Sequence, residues 1–405
     1  MRILFVAMAN SIHTARWLSQ LTDENWDIRL FPVGENPLHP DLRNVTVHTL
    51  LRQRSSELDS SVRQTGLWWP FRRGAKRFQG LLERLLPDLA NRSARLARAI
   101  RRFKPDIVHS LEMQHAGYLT LESWKRLAGC PFPAWIYSSW GSDLFYFGQQ
   151  QEHEERIREV LAACDYYIAD CQRDVRLVRE FGFEGEVLGV FPAAGESDIQ
   201  RMRQFCQPGP VSSRKIIALK GYHTNDWAGR ALVALQALYM CADSLAGYEV
   251  VVYLATPNVR YAAEYVSRMT GLRITVLPHS PHDEIVKLMG RARIAIGVNV
   301  TDGTPSTMLE AMVMGAFPIQ SDTVSTSEWI ADGGNGLLVP PEDPEAIAAA
   351  IRRALSDDVL VNRAAEINAR MTEERIDHAV IRPQVIAMYK KVAARARLKR
   401  GAGQP

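Results

Sequence analysis

The chain has 405 residues, a formal net charge of +4 at pH 7, 46% hydrophobic and 23% charged residues, with 26 Gly and 21 Pro. High apolar content with little net charge excludes a chain disordered throughout, and the length suits two domains of roughly 100–200 residues each. Five cysteines, Cys130, Cys164, Cys171, Cys206 and Cys241, form no C-x-x-C pair, which argues against a disulfide framework or a Cys-rich zinc site and fits a reducing cytoplasm.

Taken in chain order, the N-terminal run Met1–Met8 reads as a first buried strand rather than a signal peptide, because it leads straight into polar Asn10, Ser11 and His13. Short runs rich in β-branched residues follow at Ile3–Ala7, Asp27–Val33, Asp106–Ser110, Ala134–Ser138, Tyr166–Ala169 and Val187–Val190. A second series occupies Lys215–Leu219, Glu249–Leu254, Arg273–Leu277, Ile294–Val298 and Phe317–Gln320. Stretches of helical period such as Arg230–Met240 and Ile285–Met289 lie between them, and a long helical tail is expected at Glu373–Arg397. Strands apolar on both faces and separated by helices specify parallel sheets covered on each side. The loop-like Gln207–Ser213 parts the two series, which predicts two Rossmann-like α/β domains at 1–206 and 207–372, facing a cleft, with 373–405 as a helix crossing back to the first domain. Ligands of such sheets bind beyond the carboxyl ends of the strands.

The most informative stretch runs from Ile294 through the loop Asn299–Thr304 into a short helix and on to the strand at Phe317. Thr304 suits an N-cap, Pro305 a first helical position and Gly315 the residue just past the helix end. The free N–H groups of that first turn, at Thr304, Ser306 and Thr307 around Pro305 and with Gly303 allowing close approach, read as an anion site for a diphosphate. Glu310 in the second turn is placed to accept from ribose hydroxyls, and Asp302 to reach hydroxyls of whatever the phosphate carries. The same spacing also describes a plain helix with Asp302 as a turn residue and Glu310 as a solvated charge.

Asp302, seven intervening positions and Glu310-Ala311-Met312, followed by Gly315 and the Pro318-Ile319 strand, resemble the E-x7-E region of the family-4 retaining glycosyltransferases of GT-B fold. Asn335-Gly336-Leu337-Leu338-Val339, Asp343-Pro344-Glu345-Ala346-Ile347, Pro105-Asp106-Ile107-Val108-His109 and Trp140-Gly141-Ser142-Asp143 resemble further segments of the same family. The resemblance implies a nucleotide-diphosphate sugar as co-substrate, with Asp302 on the donor sugar, Gly303–Thr307 on the phosphates and Glu310 on the ribose. It also implies retention by a front-face mechanism, in which the leaving phosphate helps to deprotonate the acceptor.

Three departures from the family pattern stand out. Asp302 replaces the usual Glu and reaches one methylene less far. The usual Arg and Lys that neutralise the diphosphate align with Tyr222 and Ala228, so Lys220 and Arg230 are the expected cations; the structural alternative is Lys220 as a strand cap and Arg230 as a charge on a solvated helix face. Trp140 stands at the usual His position near the reacting sugar; it stacks on a sugar or donates an N–H but exchanges no proton. A buried Trp and a turn-forming Asp143 are the structural alternatives. Asp143 is the expected acceptor-orienting carboxylate, with His109 and His115 near another strand end, and Ser11 and His13 after the first strand, as further acceptor-side or donor-side candidates. The loop from Leu277 to Glu284 is placed where the family holds the nucleotide base.

The sequence has no D-x-D, H-E-x-x-H, G-x-G-x-x-G, P-loop or G-x-S-x-G motif. The expectation is therefore a metal-independent glycosyltransferase without a cofactor, acting on a glycan or lipid-linked acceptor in polysaccharide or glycolipid biosynthesis. A nucleotide-sugar epimerase of the same fold and a catalytically silent nucleotide-sugar-binding scaffold are the alternatives. Between Arg52 and Lys104 the chain carries 14 Lys and Arg against four acids, with Trp68, Trp69, Phe71 and Phe78 interleaved. Over 63–104 this reads either as an Arg-rich helix packed on a Leu face or as a segment lying on an anionic membrane. No nucleic-acid motif accompanies the charge. The expected location is the cytoplasm, peripheral on the inner face of the membrane.

Overall fold

The computed structural model describes the chain apart from residues 53–57, 69–83, 85–89, 193–194, 196, 225–227, 324 and 403–405. Two compact units result: Met1–Glu196 together with Ile381–Pro405, and Ser197–Val380. The aromatic and basic residues expected to edge a membrane helix, Trp69, Phe71, Arg72, Arg73, Lys76, Arg77 and Phe78, lie outside the described residues.

The first unit is built on strands β1 (Arg2–Ala7), β2 (Asp27–Pro32), β3 (Thr46–Val47), β4 (Arg63–Gln64), β5 (Ile107–Leu111), β6 (Ala134–Ser138), β7 (Tyr166–Ala169) and β8 (Glu186–Val190). They form one sheet of order β4-β3-β2-β1-β5-β6-β7-β8, parallel at every pairing. The unbroken apolar run of β1 has a direct cause. Ile3, Phe5 and Ala7 join one core with Trp17 and Leu18 of helix α1 (Ile12–Ser19), while Leu4 and Val6 join another with Leu96 and Ile100 of helix α2 (Arg92–Phe103).

The second unit has β9 (Ile216–Lys220), β10 (Glu249–Tyr253), β11 (Arg273–Val276), β12 (Ala292–Gly297), β13 (Phe317–Ser321) and β14 (Leu337–Val339) in the parallel order β11-β10-β9-β12-β13-β14. Ile217 and Leu219 face one core, and Ile216 and Ala218 face the other, which includes helices α3 (His282–Arg291) and α4 (Ser306–Val313). In both units the strand order reverses once, between β1 and β5 and between β9 and β12. Those are the points where an open parallel sheet parts its loops to receive a ligand.

The division falls at 196/197 rather than at 206/207, because Ile199 and Met202 of the short helix Ile199–Arg203 pack into the core of the second unit. Nor is the tail one helix from Glu373. The helix Asp358–Ile376 stops at Asp377, whose extended ψ of 141° breaks the ladder and whose carboxylate accepts from the Ala379 N–H at the start of helix α5 (His378–Ala402). From Ile381 this helix belongs to the first unit. Its Ile381, Val385, Tyr389 and Val392 complete the core on the α1 side of the sheet.

The Tyr389 hydroxyl sits between two buried rings, accepting from Trp17 Nε1 at 2.9 Å and meeting His109 Nδ1 at 2.6 Å. Tyr389→Phe strands both ring nitrogens without a partner, which costs about 1–3 kcal/mol. Urea unfolding is expected to show a lowered midpoint with an unchanged slope.

Candidate functional site

In the second unit, β9 delivers Lys220 and β12 delivers the loop that carries Asp302, side by side at the point of order reversal. Lys220 Nζ lies 3.9 Å from Asp302 Oδ2, the lysine side chain 16% and the aspartate 32% exposed. The loop is pinned from both flanks. On one side Asn299 bridges Gly229, and the Val300 N–H donates to the Ala228 carbonyl. On the other, Ser321 Oγ accepts from the Asn299 N–H, Thr323 Oγ1 donates to the Asn299 carbonyl, and Ser325 Oγ donates to the Gly303 carbonyl. Gly229 is required there, because a Cβ would fall 2.0 Å from the carbonyl oxygen of half-buried Tyr222. Asp302 Oδ1 accepts from the Gly303 N–H, so that donor is turned onto the carboxylate and not left open for a phosphate.

Helix α4 begins one residue later than the sequence pattern predicts. Pro305, not Thr304, holds the N-cap position; it remains extended at ψ 115° and provides no side-chain cap, while Thr304 is buried. The first-turn N–H groups of Ser306 and Thr307 have no carbonyl to bind within the helix, as at any helix start. Gly315 follows the helix at φ +81°, as its position past the end predicts. Buried Tyr253, at the end of β10, holds its phenol against the Thr307 hydroxyl, and burial pushes that phenol up.

Glu310 is not a solvated surface charge. Its side chain is only 8% exposed and its Oε1 lies 2.7 Å from Nε2 of His282 at the opening of α3. Sequence reasoning assigned the 277–284 loop to the nucleotide base and missed the meeting of His282 with Glu310. The two residues stand 28 positions apart, and only the packing of α3 on α4 brings them together. Arg230 departs from expectation as well. Its guanidinium is turned into its own loop, donating to the Thr224 carbonyl at 2.9 Å and pairing with Glu342. It thereby shapes the loop instead of offering a cation to a ligand, and Lys220 is left as the cation beside Asp302.

In the first unit, the loops after β1 and β5 flank the corresponding reversal. Ser11 caps α1, its Oγ accepting from the His13 N–H at 3.2 Å. The His13 ring meets the Trp140 ring edge-on at 5.5 Å, so two candidates from distant segments converge. After β5, Glu112 takes φ +81°, a strained value for a residue with a side chain, and its carboxylate accepts from the backbone of His115 and Ala116 and pairs with His115 Nδ1 at 3.1 Å. The bond to Glu112 pushes the His115 ring up, and the ring is 64% exposed, able to meet a ligand. Glu112 was not anticipated; its signal was the three-residue spacing to His115 just past a strand.

Two expectations are corrected here. His109 does not stand at a strand end: it lies inside β5, fully buried, with Nε2 2.7 Å from Ser138 Oγ and Nδ1 on Tyr389, and burial holds its ring down to about 3. It is a neutral core histidine. Asp143 is likewise enclosed, accepting from the Met113 N–H, the Tyr137 hydroxyl and the Trp140 N–H. Its carboxylate fixes the Trp140 turn and is not open to an acceptor. Of the basic stretch, Arg92–Phe103 is a folded helix capped by Asn91, burying Leu96, Ala97, Ile100 and Phe103. Among the described residues no helix is long and apolar enough to cross a membrane.

Residues 260–374 match the sequence model of glycosyl transferases group 1, and residues 82–170 that of glycosyl transferase 4-like proteins. A phosphatidyl-myo-inositol mannosyltransferase of Mycolicibacterium smegmatis is 36% identical over 88 residues, 21% of this chain and 22% of that protein. The match thus spans about a fifth of that relative's length. The fold is similar to sucrose-phosphate synthase of Thermosynechococcus elongatus, with TM-score 0.68 and 16% identity over 97% of this chain and 99% of that one. It is also similar to Anabaena HepE in complex with UDP, with TM-score 0.66 and 15% identity over 96% and 100%.

Burial, and then the neighbouring Glu112, push the Asp143 carboxyl up to about 8, against the pull of the Tyr137 hydroxyl and the Trp140 N–H. A folded-state proton held this tightly favours folding below about pH 4 and the benefit is lost as pH rises through about 8. Asp143→Asn is expected to flatten this decline, read as urea midpoints measured across that range.

With both matched segments and the whole topology in agreement, the chain belongs to the GT4-like glycosyltransferases of the GT-B fold.

Proposed function

We propose that the protein transfers a sugar from a nucleoside-diphosphate sugar to a glycan or lipid-linked acceptor, with retention of anomeric configuration and without a metal ion. The observation that carries this reading is the pairing of Lys220 with Asp302 at the β9/β12 reversal, next to the open first turn of α4. A leaving diphosphate needs positive charge fixed in advance where its negative charge develops. Lys220 and the N–H groups of Ser306 and Thr307 supply that charge from the protein itself, which is the basis for proposing that no divalent cation is needed.

In this reading Asp302 holds donor-sugar hydroxyls, and Glu310, steadied by His282, accepts from the ribose hydroxyls. The C1–oxygen bond to the diphosphate breaks, the acceptor oxygen bonds to C1 on the same face, and the acceptor proton passes to a leaving-phosphate oxygen. In the first unit, His13, Trp140 and His115 address the acceptor: Trp140 by stacking, His115 as a cation held by Glu112. The UDP named with the HepE structure supports a uridine donor, and the phosphatidylinositol named in the mycolicibacterial relative supports a lipid-linked acceptor. The exposed arginines of α2, Arg92, Arg101 and Arg102, fit work against an anionic membrane on its inner face.

Lys220→Ala is expected to lower kcat/KM roughly 100-fold by removing the cation nearest the leaving group. Chromatographic release of UDP from UDP-sugars, with extracted lipids as acceptor, checks this. The wild-type rate is expected to persist in EDTA; a rate abolished by EDTA and restored by Mg²⁺ overturns the metal-free reading.

A further inference from the structure

A cavity of about 350 Å³ opens in the first unit between the edge strands and α2, sharing no residue with the Lys220–Glu310 loop or with the His13, Trp140 and His115 cluster. That volume lies within the range of small-ligand pockets, about 300–1,000 Å³. Its lining is cationic. Arg29 comes from β2, and Arg95, Arg98 and Arg102 come from successive turns of α2. Aspartate and glutamate answer part of this charge: Arg29 pairs with Asp27 at 3.2 Å and Arg95 with Glu35 at 2.8 Å. Arg102, exposed on the rim, has no carboxylate within ion-pair reach among the described residues.

The guanidinium groups are also positioned. Arg29 stacks on the Phe103 ring at 3.9 Å and Arg95 lies over Phe31 at 5.6 Å. Such stacking fixes the plane of each fork, of which Arg29 turns Nε and Nη2 to the Asp27 carboxylate and Arg95 turns Nη1 to Glu35 and Nη2 to the His48 carbonyl. At the inner end of the cavity, His48 bonds through Nδ1 to the Thr65 hydroxyl at 3.2 Å, while its Nε2 is buried with no hydrogen-bond partner. A buried ring nitrogen left without a partner is costly and calls for a ligand or a water. Four guanidinium groups, of which Arg102 meets no carboxylate among the described residues, an orphaned imidazole nitrogen and apolar walls from Phe31, Leu50 and Leu67 meet in one cavity.

We propose that this cavity binds a phosphate group, mono- or diester, carried on an organic ligand: the arginines take its oxygens, His48 Nε2 meets one of them, and the apolar wall accepts the carbon part. The ligand is either a phospholipid headgroup or a soluble organophosphate. The site requires no nucleotide, so it stands or falls apart from the proposed transfer activity.

The surroundings of His48 supply an internal reporter. Burial, reinforced by Arg29 and Arg95, holds its ring down to about 4, with Asp27 opposing. A phosphate seated among Arg29, Arg95, Arg98 and Arg102 reverses the sign of the local field, so the ring should titrate higher when the ligand is bound. The experiment follows the His48 ring signals by NMR in the full chain without nucleotide. The additions are glycerol 3-phosphate, phosphatidylglycerol vesicles and phosphatidylcholine vesicles, with chloride matching ionic strength. A saturable rise in the His48 titration with glycerol 3-phosphate assigns the soluble source, and one with phosphatidylglycerol vesicles alone assigns the lipid. Either is expected to weaken roughly tenfold in Arg98→Ala/Arg102→Ala, and Arg102→Lys, which keeps the charge, should retain most of the binding. No change in His48 with any phosphate probe overturns the proposal. So does vesicle binding that leaves His48 unmoved, or binding that the double variant, folded by circular dichroism, does not weaken.

Discussion

The parallel pairing of β9 with β12 is the constraint on which the second unit depends. The register that sets Leu219 beside Ile296 ends both strands at one edge and delivers Lys220 and the Asn299–Pro305 loop to the same place. Both strands are buried on both faces, so a slip of either would expose apolar side chains to water and carry Lys220 away from Asp302. The loop itself has little freedom. Hydrogen bonds to Ala228 and Ser321 and from Thr323 and Ser325 hold its backbone before any ligand arrives. Preorganisation of this kind lowers the cost of ordering a site at the moment of binding.

The first unit uses the same plan with different chemistry. Its reversal between β1 and β5 gathers Ser11, His13, Trp140 and the Glu112–His115 pair from three segments, with the strained backbone of Glu112 among them. Behind these lies a layer of buried polar groups that do not face solvent: Asp143 under Trp140, and His109 between Ser138 and Tyr389. That layer positions the exposed groups. The C-terminal helix takes part in it directly, since Tyr389 holds both His109 and Trp17, which explains why the chain returns to its first unit.

Much of this was legible in the sequence for identifiable reasons. Strands flanked by helices on both faces must be apolar throughout, so Ala134–Ser138 and Tyr166–Ala169 were found to the residue. Pro305 and Gly315 bracketed α4 to within one position. What stayed hidden was set by tertiary packing. Strands β3 and β4 are two residues long and carry no periodic signal. The meeting of His282 with Glu310 depends on two helices packing, and the burial of His109 and Asp143 depends on what covers them. A His at the end of Pro105–His109 looks the same in sequence whether the strand stops there or, as here, runs on to Leu111. Arg230 misled for a related reason: its cationic reach was evident, but the carbonyls and Glu342 that capture it come from its own folded loop and from far along the chain.

The central claim is that the loop from Asp302 to Glu310 is a working nucleotide-sugar site that supplies its own charge. Calorimetric titration of the protein with UDP, GDP and ADP in EDTA tests it most directly, with Glu310→Ala measured alongside. The account predicts saturable binding of one diphosphate without metal, UDP by preference, weakened roughly tenfold when the ribose-facing carboxylate is removed. Binding of none of the three, or binding indifferent to Glu310→Ala, would contradict it.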